Sequence, residues 1–420
     1  MQDLKGKKLL ILAGSSVHIK LVNAAKEMGV YTIVTDFLAP ENSPAKQIAD
    51  EYWDLNITDT EAIVARCKAE NVDGVIAGWI DPCQIPYWKV CDRLGFPCYG
   101  TYDQFFKLTN KHAFKQLCVE NGVDVIPEYR KEDIEQVEYP VFVKPVDSRG
   151  SRGQAICNNE DELMEAIKIA EEESSNGDIL IEKYIGNKNS FQVTYFFVNG
   201  EPYILRTADG YKGLVEEKLD KVALLSVSPS VHTEHYMKND NKKVVDMIKA
   251  IGYKNGPVMI QGFNDDGVYR FYDPGLRFPG VDFDVVYSAI FGVSVMRMMV
   301  EFALTGKVMN PNLSNDNVHM NGKAAAVLFP TIAAGKIAAI DGLDWMKDDS
   351  RICTVTLRHE VGDDVSWCYN VNQRLGEIDM LVDNKKELVK LINEIYASLH
   401  VIDAEGHDML YCPLNTNRIE

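Results

Sequence analysis

The sequence predicts an α/β unit followed by α+β units, packed together in one molecule. In roughly the first hundred residues, strand-like and helix-like segments alternate, which is typical of a βαβ series and a parallel sheet. Beyond them, two hairpin signals interrupt the alternation. A chain of 420 residues is also too long for one small core, so two or three packed units are expected.

The N-terminal elements are assigned in chain order from apolar runs and helical spacing. "KLLILAG" is a continuous apolar run, as expected for a strand buried on both faces. "SVHIKLVNAAKEMG" has helical spacing and ends at Gly29, a suitable helix terminus. "YTIVTD" is the next strand, and the series continues through "TEAIVARCKAENV", "GVIAG" and "CQIPYWKVCDRLG" as far as "PCYG".

From Thr101 onward the pattern changes. "FKLTNKHAFKQLCVENG" is predicted to be helical, with Thr109 or Asn110 near an N-cap. "YPVFVKPV", "GQAICN" and "DILIEKYI" are predicted strands, and "NEDELMEAIKIAEEESS" is an amphipathic helix. "SFQVTYFFVNGEPYIL" and "VMIQGFNDDGVYRFYDPG" are predicted hairpins that turn at Asn-Gly and at "NDDG". Helical segments follow around residues 285–304, then short strands and a final helix, "KKELVKLINEIYASLH".

Charge and cysteine content exclude several classes of protein. The 44 basic and 62 acidic residues give a net charge of −18, which would repel a nucleic-acid backbone. The nine cysteines are scattered without a CxxC pair, which favours reduced thiols in a cytoplasmic protein. The N-terminus lacks the features of a signal peptide, and no run approaches the ~18 apolar residues of a membrane span. We expect a soluble, cytoplasmic protein with neither nucleic acid nor membrane as partner.

The segment "VFVKPVDSRGSRG" suggests an anion-binding loop. Glycines at 150 and 153 would let backbone amides approach a phosphate, and Lys144 at the end of the preceding strand would add a positive charge. A polar turn beside a solvated lysine explains the segment about equally well. It is not a P-loop, because the lysine precedes the loop and the GxxxxGK[ST] order is missing.

Three other segments have open interpretations. "GSSVHIK" after the first strand has only Gly14 of the dinucleotide-binding glycines, so a simple closing turn is preferred over a site with Asp36 as ribose ligand. "ILIEKYI" fits an edge strand or the wall of a nucleotide site. In "FYDPGLRFPG", Arg277 suits a bound carboxylate or phosphate, or a structural pair with Asp273.

In combination and order, these segments resemble the ATP-grasp superfamily of carboxylate–amine ligases, which includes biotin carboxylase, the carbamoyl-phosphate synthetase large subunit and L-amino-acid ligases. The resemblance covers nearly the whole chain. It implies an ATP-grasp fold with a Rossmann-like pre-ATP-grasp domain over residues 1–104 and an ATP-grasp domain over 105–310. The ATP-grasp domain would carry a small lid subdomain at about 140–205, and a C-terminal lobe would pack on it over 311–420.

The resemblance also implies residue roles. Two lysines contact the ATP phosphates, a glycine-rich lid covers those phosphates, and a hinge reads adenine through backbone groups with Glu182 facing the amino group. An arginine, Arg277, holds the carboxylate or stabilises the developing acyl phosphate, and Arg206 in "YILRTADG" is a second candidate for orienting the carboxylate. The implied nucleotide-binding residues are Lys111, Lys144, Arg149, Gly150, Ser151, Gly153, Glu182, Lys183, Tyr184 and Ile185.

The magnesium motif departs from the family pattern. The family's E-x-N-x-R appears as Asp273-Pro-Gly275-Leu-Arg277, and its other metal-binding glutamate falls on Gln261. The implied metal ligands are therefore Asp273 and Gln261, with Asp282 or Asp284 as alternatives. The family's ribose-contacting glutamate falls at Lys188 or Asn189.

The resemblance implies an ADP-forming ligase that uses ATP and Mg²⁺. It activates a small-molecule carboxylate as an acyl phosphate for attack by an amine, and a homodimer is compatible with the family. The altered metal motif leaves an alternative open, a catalytically degenerate ATP-binding protein that acts as a sensor or partner subunit. The sequence does not choose among amino-acid, sugar-acid and bicarbonate substrates.

Overall fold

A computed structural model describes residues 4–146, 153–185, 189–215, 218–280, 283–309, 311–367 and 371–419. The first part is a parallel sheet with the strand order β3-β2-β1-β4. Its elements are β1 (Lys8–Leu12), α1 (Ile19–Glu27), β2 (Tyr31–Thr35), α2 (Pro44–Ile48), β3 (Glu51–Trp53), α3 (Thr60–Glu70), β4 (Gly74–Ile76) and α4 (Asp81–Leu94). The predicted βαβ series is confirmed, although α2 and β3 were not predicted and "PCYG" forms no strand.

The second part is a small antiparallel sheet with the order β5-β8-β6-β7. The chain enters it through two helices and forms α5 (Tyr102–Lys107), α6 (Lys111–Glu120), β5 (Glu128–Tyr129), β6 (Val141–Pro145), β7 (Ala155–Cys157), α7 (Glu160–Glu173) and β8 (Ile179–Lys183). The Asn110 side chain caps α6 by accepting from the Ala113 amide at 3.0 Å. The apolar face of α7 packs on β6 and β8 and gives this sheet its own core.

The third part is an eight-stranded sheet with the order β13-β12-β9-β10-β11-β14-β19-β17. The elements from residue 190 to 305 are β9 (Ser190–Val198), β10 (Glu201–Val215), β11 (Lys218–Ser228), α8 (Thr233–Asn239), α9 (Asn241–Ala250), β12 (Gly256–Asp265), β13 (Val268–Gly275), α10 (Asp284–Phe291) and α11 (Val295–Thr305). Those that follow are β14 (Ala324–Leu328), β15 (Thr331–Ile332), β16 (Gly335–Asp341), α12 (Asp344–Asp348), β17 (Ile352–Leu357), β18 (Asp364–Val365), β19 (Gly376–Val382), α13 (Lys385–Ser398), β20 (His400–Asp403) and β21 (Leu410–Tyr411).

Both predicted hairpins are confirmed within this sheet. Asn199 and Gly200 have φ values of 53° and 87°, and Asp266 and Gly267 have φ values of 54° and 93°. Such left-handed pairs suit two-residue turns, because their twist matches that of the flanking strands. The second turn pairs Asp265 with Val268, and a register shift between Gln261 and Gly262 then brings Gln261 opposite Asp273 in the candidate site.

The cores connect the parts. One apolar cluster includes side chains of the parallel sheet and of β9, β10 and β12, so these elements pack as a continuous unit. A second cluster lies between α13 and the strands β11, β14 and β19. The large sheet therefore crosses the predicted boundary at residue 310, and the predicted domain limits stay predictions.

Two further sequence expectations meet the structure here. Among the described helices, none alone is long and apolar enough to cross a membrane; α10 and α11 reach that length and composition only as a pair bent by 102°. No disulfide bond joins any two of the eight cysteines that the structure describes. The cytoplasmic location stays a prediction.

Candidate functional site

The candidate site lies in a cleft between the small sheet and the β12–β13 hairpin of the large sheet. Lys144 is on β6, and Glu182 is on the adjacent strand β8. The Lys144 ammonium lies 2.5 Å from Oε2 of Glu182, whose residue is 1% exposed. The buried carboxylate of Glu182 thus holds Lys144, which lies near the end of β6, at the cleft.

A second lysine, which sequence reasoning missed, binds the other oxygen of the same carboxylate. Lys115 on α6 donates to Oε1 of Glu182, is ion-paired with Glu128, and donates to the carbonyl oxygen of Ile126 at 3.2 Å. Burial alone would raise the pKa of Glu182, but Lys144 and Lys115 hold it below the usual value. Glu182 is therefore a carboxylate anion shared by two cations.

The predicted metal ligands lie directly opposite each other. Asp273 on β13 pairs with Gln261 on β12, which pairs in turn with Gln192 on β9. Directly opposed residues of an antiparallel sheet present their side chains on the same face. The three side chains therefore form a row across the sheet, in which Gln192 was not predicted.

This row suits a magnesium ion that takes most of its ligands from phosphate oxygens and water molecules. The described residues contain no group of three or more His, Cys, Asp or Glu side chains arranged to hold a metal. Mg²⁺ is commonly bound through one or two carboxylates together with substrate phosphates. Asp273 supplies the carboxylate, and Gln261 supplies a neutral oxygen opposite it. The alternative ligand Asp284 instead caps α11 by accepting from the Val295 amide at 2.9 Å, and Asp282 lies outside the described residues.

The charges around Asp273 show which groups share the cleft. Burial raises the pKa of Asp273, while the positive charges of Arg277, Lys111 and Lys144 lower it and Asp81 raises it further. The side chain keeps 41% of its accessible area because it faces the open cleft, so solvent moderates the effect of burial. Lys111 and Lys144, which are distant in sequence, thus both act on one carboxylate.

Arg277 is fixed by the N-terminal part of the molecule. Its Nε donates to Oδ1 of Asp81 at 2.6 Å, its Nη1 donates to the Phe278 carbonyl at 3.1 Å, and its Nη2 lies 3.9 Å from Asp273. Burial alone would lower the pKa of Arg277, but Asp81 and Asp273 raise it. Sequence reasoning missed Asp81, which begins α4.

The glycine at position 275 has a local explanation. A Cβ atom there would lie 2.9 Å from Cγ and 3.1 Å from Nε of Arg277. The Arg277 side chain thus occupies the space next to this backbone. The replacement of the family's asparagine by Gly275 is coupled to the pose of Arg277.

A small apolar cluster adjoins the lysines. Ile126, Ile185 and Phe263 form a separate small cluster, and the Tyr272 ring stacks on Phe263 with centroids 5.0 Å apart. Within the described residues, the amide of Ile185 donates no hydrogen bond, and such a group suits the edge of an adenine ring. The neighbouring Lys183 side chain points to Asp265 at 3.2 Å, and the Tyr184 amide donates to Pro140 at 3.1 Å.

The predicted lid is described only at its end. Arg149, Gly150 and Ser151 lie outside the described residues, as does Lys188. Gly153 has a φ of 65°, and a Cβ there would lie 2.9 Å from both Glu173 and Pro145. Gly153 is therefore required for backbone conformation as well as space.

Three other candidate residues have partners in other parts of the chain. Arg206 is buried beneath the Phe283 ring and donates to Ser226 at 2.7 Å. Asn189 accepts from Arg418 at 3.4 Å. Asp36 accepts from the Gly14 amide at 2.8 Å, which supports the preferred interpretation of this turn as a closing turn.

Part of the chain is similar in sequence to a known ATP-binding domain. Residues 110–197 match the family model for the ATP-binding domain of the carbamoyl-phosphate synthase L chain. Biotin carboxylase 1 of Bacillus subtilis (strain 168) is 24% identical over 292 residues, which are 63% of this chain and 63% of that protein.

Solved structures share the fold over nearly the whole chain. The L-amino acid ligase of Bacillus licheniformis gives a TM-score of 0.75 at 20% identity and covers 95% of this chain and 99% of that chain. The biotin carboxylase domain dimer of Hydrogenobacter thermophilus 2-oxoglutarate carboxylase, in complex with MgADP, ADP and bicarbonate, gives 0.75 at 18% identity and covers 94% and 90%. The chain has the ATP-grasp fold that the sequence predicted. The matched region spans 63% of the length of the Bacillus subtilis relative.

Proposed function

We propose that the protein is an ADP-forming ligase that activates a small-molecule carboxylate as an acyl phosphate for attack by an amine. The observation that carries this proposal is the convergence of Lys111 and Lys144 on the carboxylate of Asp273, with Arg277 beside it. Two ammonium groups from different elements, whose charges both act on one partly exposed carboxylate, suit a polyphosphate. The relatives act as ATP-dependent ligases, which supports the same activity.

In this proposal the nucleotide lies along the cleft. The adenine ring packs against Ile126, Ile185 and Phe263, and its edge meets the backbone of residues 182–185. The phosphates extend towards Lys111 and Lys144. The lid that the sequence resemblance implies at residues 149–153 stays a prediction. Contact between Glu182 and the adenine amino group stays a prediction. The Glu182 carboxylate already binds two lysines, so its backbone carbonyl is the group proposed to face the base.

Asp273 and Gln261 would hold a magnesium ion, which supplies charge neutralisation to the phosphates when it is bound. Asp282 stays an alternative ligand. MgADP in the Hydrogenobacter thermophilus structure supports the choice of metal.

The chemistry proceeds in two balanced steps. A carboxylate oxygen of the substrate attacks the γ-phosphorus as the bond from that phosphorus to the bridging oxygen breaks, giving an acyl phosphate and ADP. The amine nitrogen then attacks the acyl carbon, inorganic phosphate leaves with the C–O bond electrons, and the nitrogen loses a proton to give the amide. The protein contributes position and charge: Arg277 faces the carboxylate, and the lysines neutralise the phosphates.

The alternative, a degenerate ATP-binding protein, is not favoured. Asp273 keeps a carboxylate at the family's glutamate position and faces the cleft, although the second metal carboxylate is replaced by Gln261. The homodimer stays a proposal, supported by the dimer in the Hydrogenobacter thermophilus structure. The substrates remain open among amino acids, sugar acids and bicarbonate.

The test is ADP release from MgATP with mixtures of carboxylates and amines. We expect release that depends on both substrates. Lys144→Ala should reduce it by about 100-fold or more, because the transferred phosphate loses a charge partner. Lys107→Ala is the matched control, since Lys107 is on α5 and, within the part of the chain that the structure describes, pairs only with the exposed Asp103, at 2.8 Å. Tight ATP binding without Mg²⁺ and without ADP release from any mixture would favour the degenerate protein, and full turnover in Lys144→Ala would contradict the site.

A further inference from the structure

The ammonium group of Lys115 is fully occupied by protein acceptors. It contacts a carboxylate oxygen of Glu182, a carboxylate oxygen of Glu128 and the carbonyl oxygen of Ile126. A lysine ammonium has three N–H donors. All three are therefore committed to oxygens of the described chain, and Lys115 is not placed to bind a phosphate itself.

Lys144 differs from Lys115 in this respect. It contacts Glu182 through the other oxygen, Oε2, at 2.5 Å. Its side chain and that of Lys115 are similarly buried, at 8% and 10% exposed. The two lysines thus differ in their hydrogen-bond and ion-pair partners rather than in how deeply they are buried. Of the two, Lys144 is the one whose charge acts on Asp273 in the cleft.

The charge balance depends on Lys115. Lys115 and Lys144 are two positive groups, and Glu128 and Glu182 are two negative groups. Without Lys115, Lys144 would face the whole charge of a buried carboxylate, and the cluster would become net negative beside the phosphate site. Both effects oppose binding of a polyphosphate anion to Lys144.

Lys115 also joins the two halves of the nucleotide cleft. One of its acceptors, Ile126, belongs to the small apolar cluster with Ile185 and Phe263. Another, Glu182, also holds Lys144. We infer that Lys115 is a positioning residue: it occupies half of Glu182 and so leaves Lys144 available to the nucleotide phosphates. The inference rests on the proposed nucleotide site.

The first test is calorimetric binding of MgADP and of adenosine to the full-length protein. Lys115→Met keeps the length of the side chain and removes its charge. We expect its affinity for MgADP to fall by about 10-fold or more, because a buried carboxylate then competes for Lys144. Its affinity for adenosine should change by less than about 3-fold, since the small apolar cluster of Ile126, Ile185 and Phe263 remains. Lys107→Met on α5 is the control and should match the wild type for both ligands.

The second test asks whether Lys115 acts through Glu182. The double variant Lys115→Met/Glu182→Gln should bind MgADP as the single variant Glu182→Gln does, within about 2-fold, because the competing charge is gone. This comparison also decides the matter if Lys115→Met alone does not fold, since the double variant contains no unpaired carboxylate at position 182.

The outcomes separate the two proposals. Equal losses for MgADP and adenosine in Lys115→Met, or a further 10-fold loss in the double variant relative to Glu182→Gln, would overturn the positioning role. Wild-type protein that binds no MgADP would overturn the proposed nucleotide site itself. Wild-type protein that binds MgADP, with Lys115→Met equal to it, would overturn only the role of Lys115.

Discussion

The two ends of the cleft are built differently. At the phosphate side of the small sheet, Glu182 is buried and its two oxygens each bind a lysine. At the other end, Asp273 is 41% exposed, is matched by the neutral Gln261, and has its nearest cation, Arg277, 3.9 Å away. The buried end has its charges paired before any ligand arrives. The open end has charges and oxygens that a substrate and a metal would complete.

This difference indicates which end carries general nucleotide binding and which carries the individual chemistry of the protein. Buried paired charges are costly to rearrange, so they suit a contact that every catalytic cycle repeats. Exposed groups at a junction between parts are easily exchanged. The departures from the family motif, Gln261 and Gly275, both lie at the open end.

The largest expected effect is on stability at the buried end. Glu182→Gln removes the anion between Lys144 and Lys115 and should lower the free energy of unfolding by about 3 kcal/mol at neutral pH. The pKa of Glu182 is depressed in the folded protein, so its contribution is present above the unfolded pKa and is lost as pH falls through the folded pKa. The difference between wild type and variant should therefore shrink below about pH 4.

Thermal or denaturant unfolding from pH 7 to pH 3 measures this. Glu171→Gln, which removes an exposed partner of Lys131, is the control and should leave stability nearly unchanged. If the stability difference between wild type and Glu182→Gln grows as the pH falls, the pKa of Glu182 is not depressed in the folded protein, and this prediction is wrong.

The next effect is on turnover at the open end. Asp81→Asn weakens the bond that fixes Nε of Arg277 and should reduce ADP release by about 10-fold. MgADP affinity should stay within about 2-fold, because the lysines are untouched. Asp92→Asn, an exposed change on the same helix α4, is the matched control. Equal losses of turnover and nucleotide affinity would mean that the two ends are not separable.

Much of the fold was predictable because its signals are local. The Asn-Gly and Asp-Gly turns and the Asn110 cap depend on a few adjacent residues, and each appears where the sequence places it. Among the elements missed, α2 and β3 have five and three residues, too few for a periodic pattern. Residues 218–250, which form β11, α8 and α9, were given no assignment from the sequence.

The candidate site was predictable only where a motif marked it. Lys144, Glu182 and Arg277 stand in recognisable segments. Lys115 lies 67 residues from its partner Glu182, and Asp81 lies 196 residues from its partner Arg277. No local pattern encodes such pairs, because they arise from the packing of separate sheets. Only the spacing of four residues between Lys111 and Lys115, one helical turn, hints that the two lysines share a side of α6.

The smallest expected effect is a gain at the metal row. Gln261→Glu places a second carboxylate opposite Asp273, so the Mg²⁺ concentration needed for half-maximal ATP binding should fall by about 5-fold. The exposed change Gln47→Glu adds the same charge elsewhere and should have no effect. An unchanged Mg²⁺ requirement in Gln261→Glu would place the metal away from this row.

The most direct measurement is a crystal structure with Mg²⁺ and a non-hydrolysable ATP analogue. The account predicts phosphate oxygens within about 3 Å of the ammonium groups of both Lys111 and Lys144, with the metal on Asp273. A nucleotide bound elsewhere, or phosphates that contact neither lysine while the cleft stays empty, would contradict it.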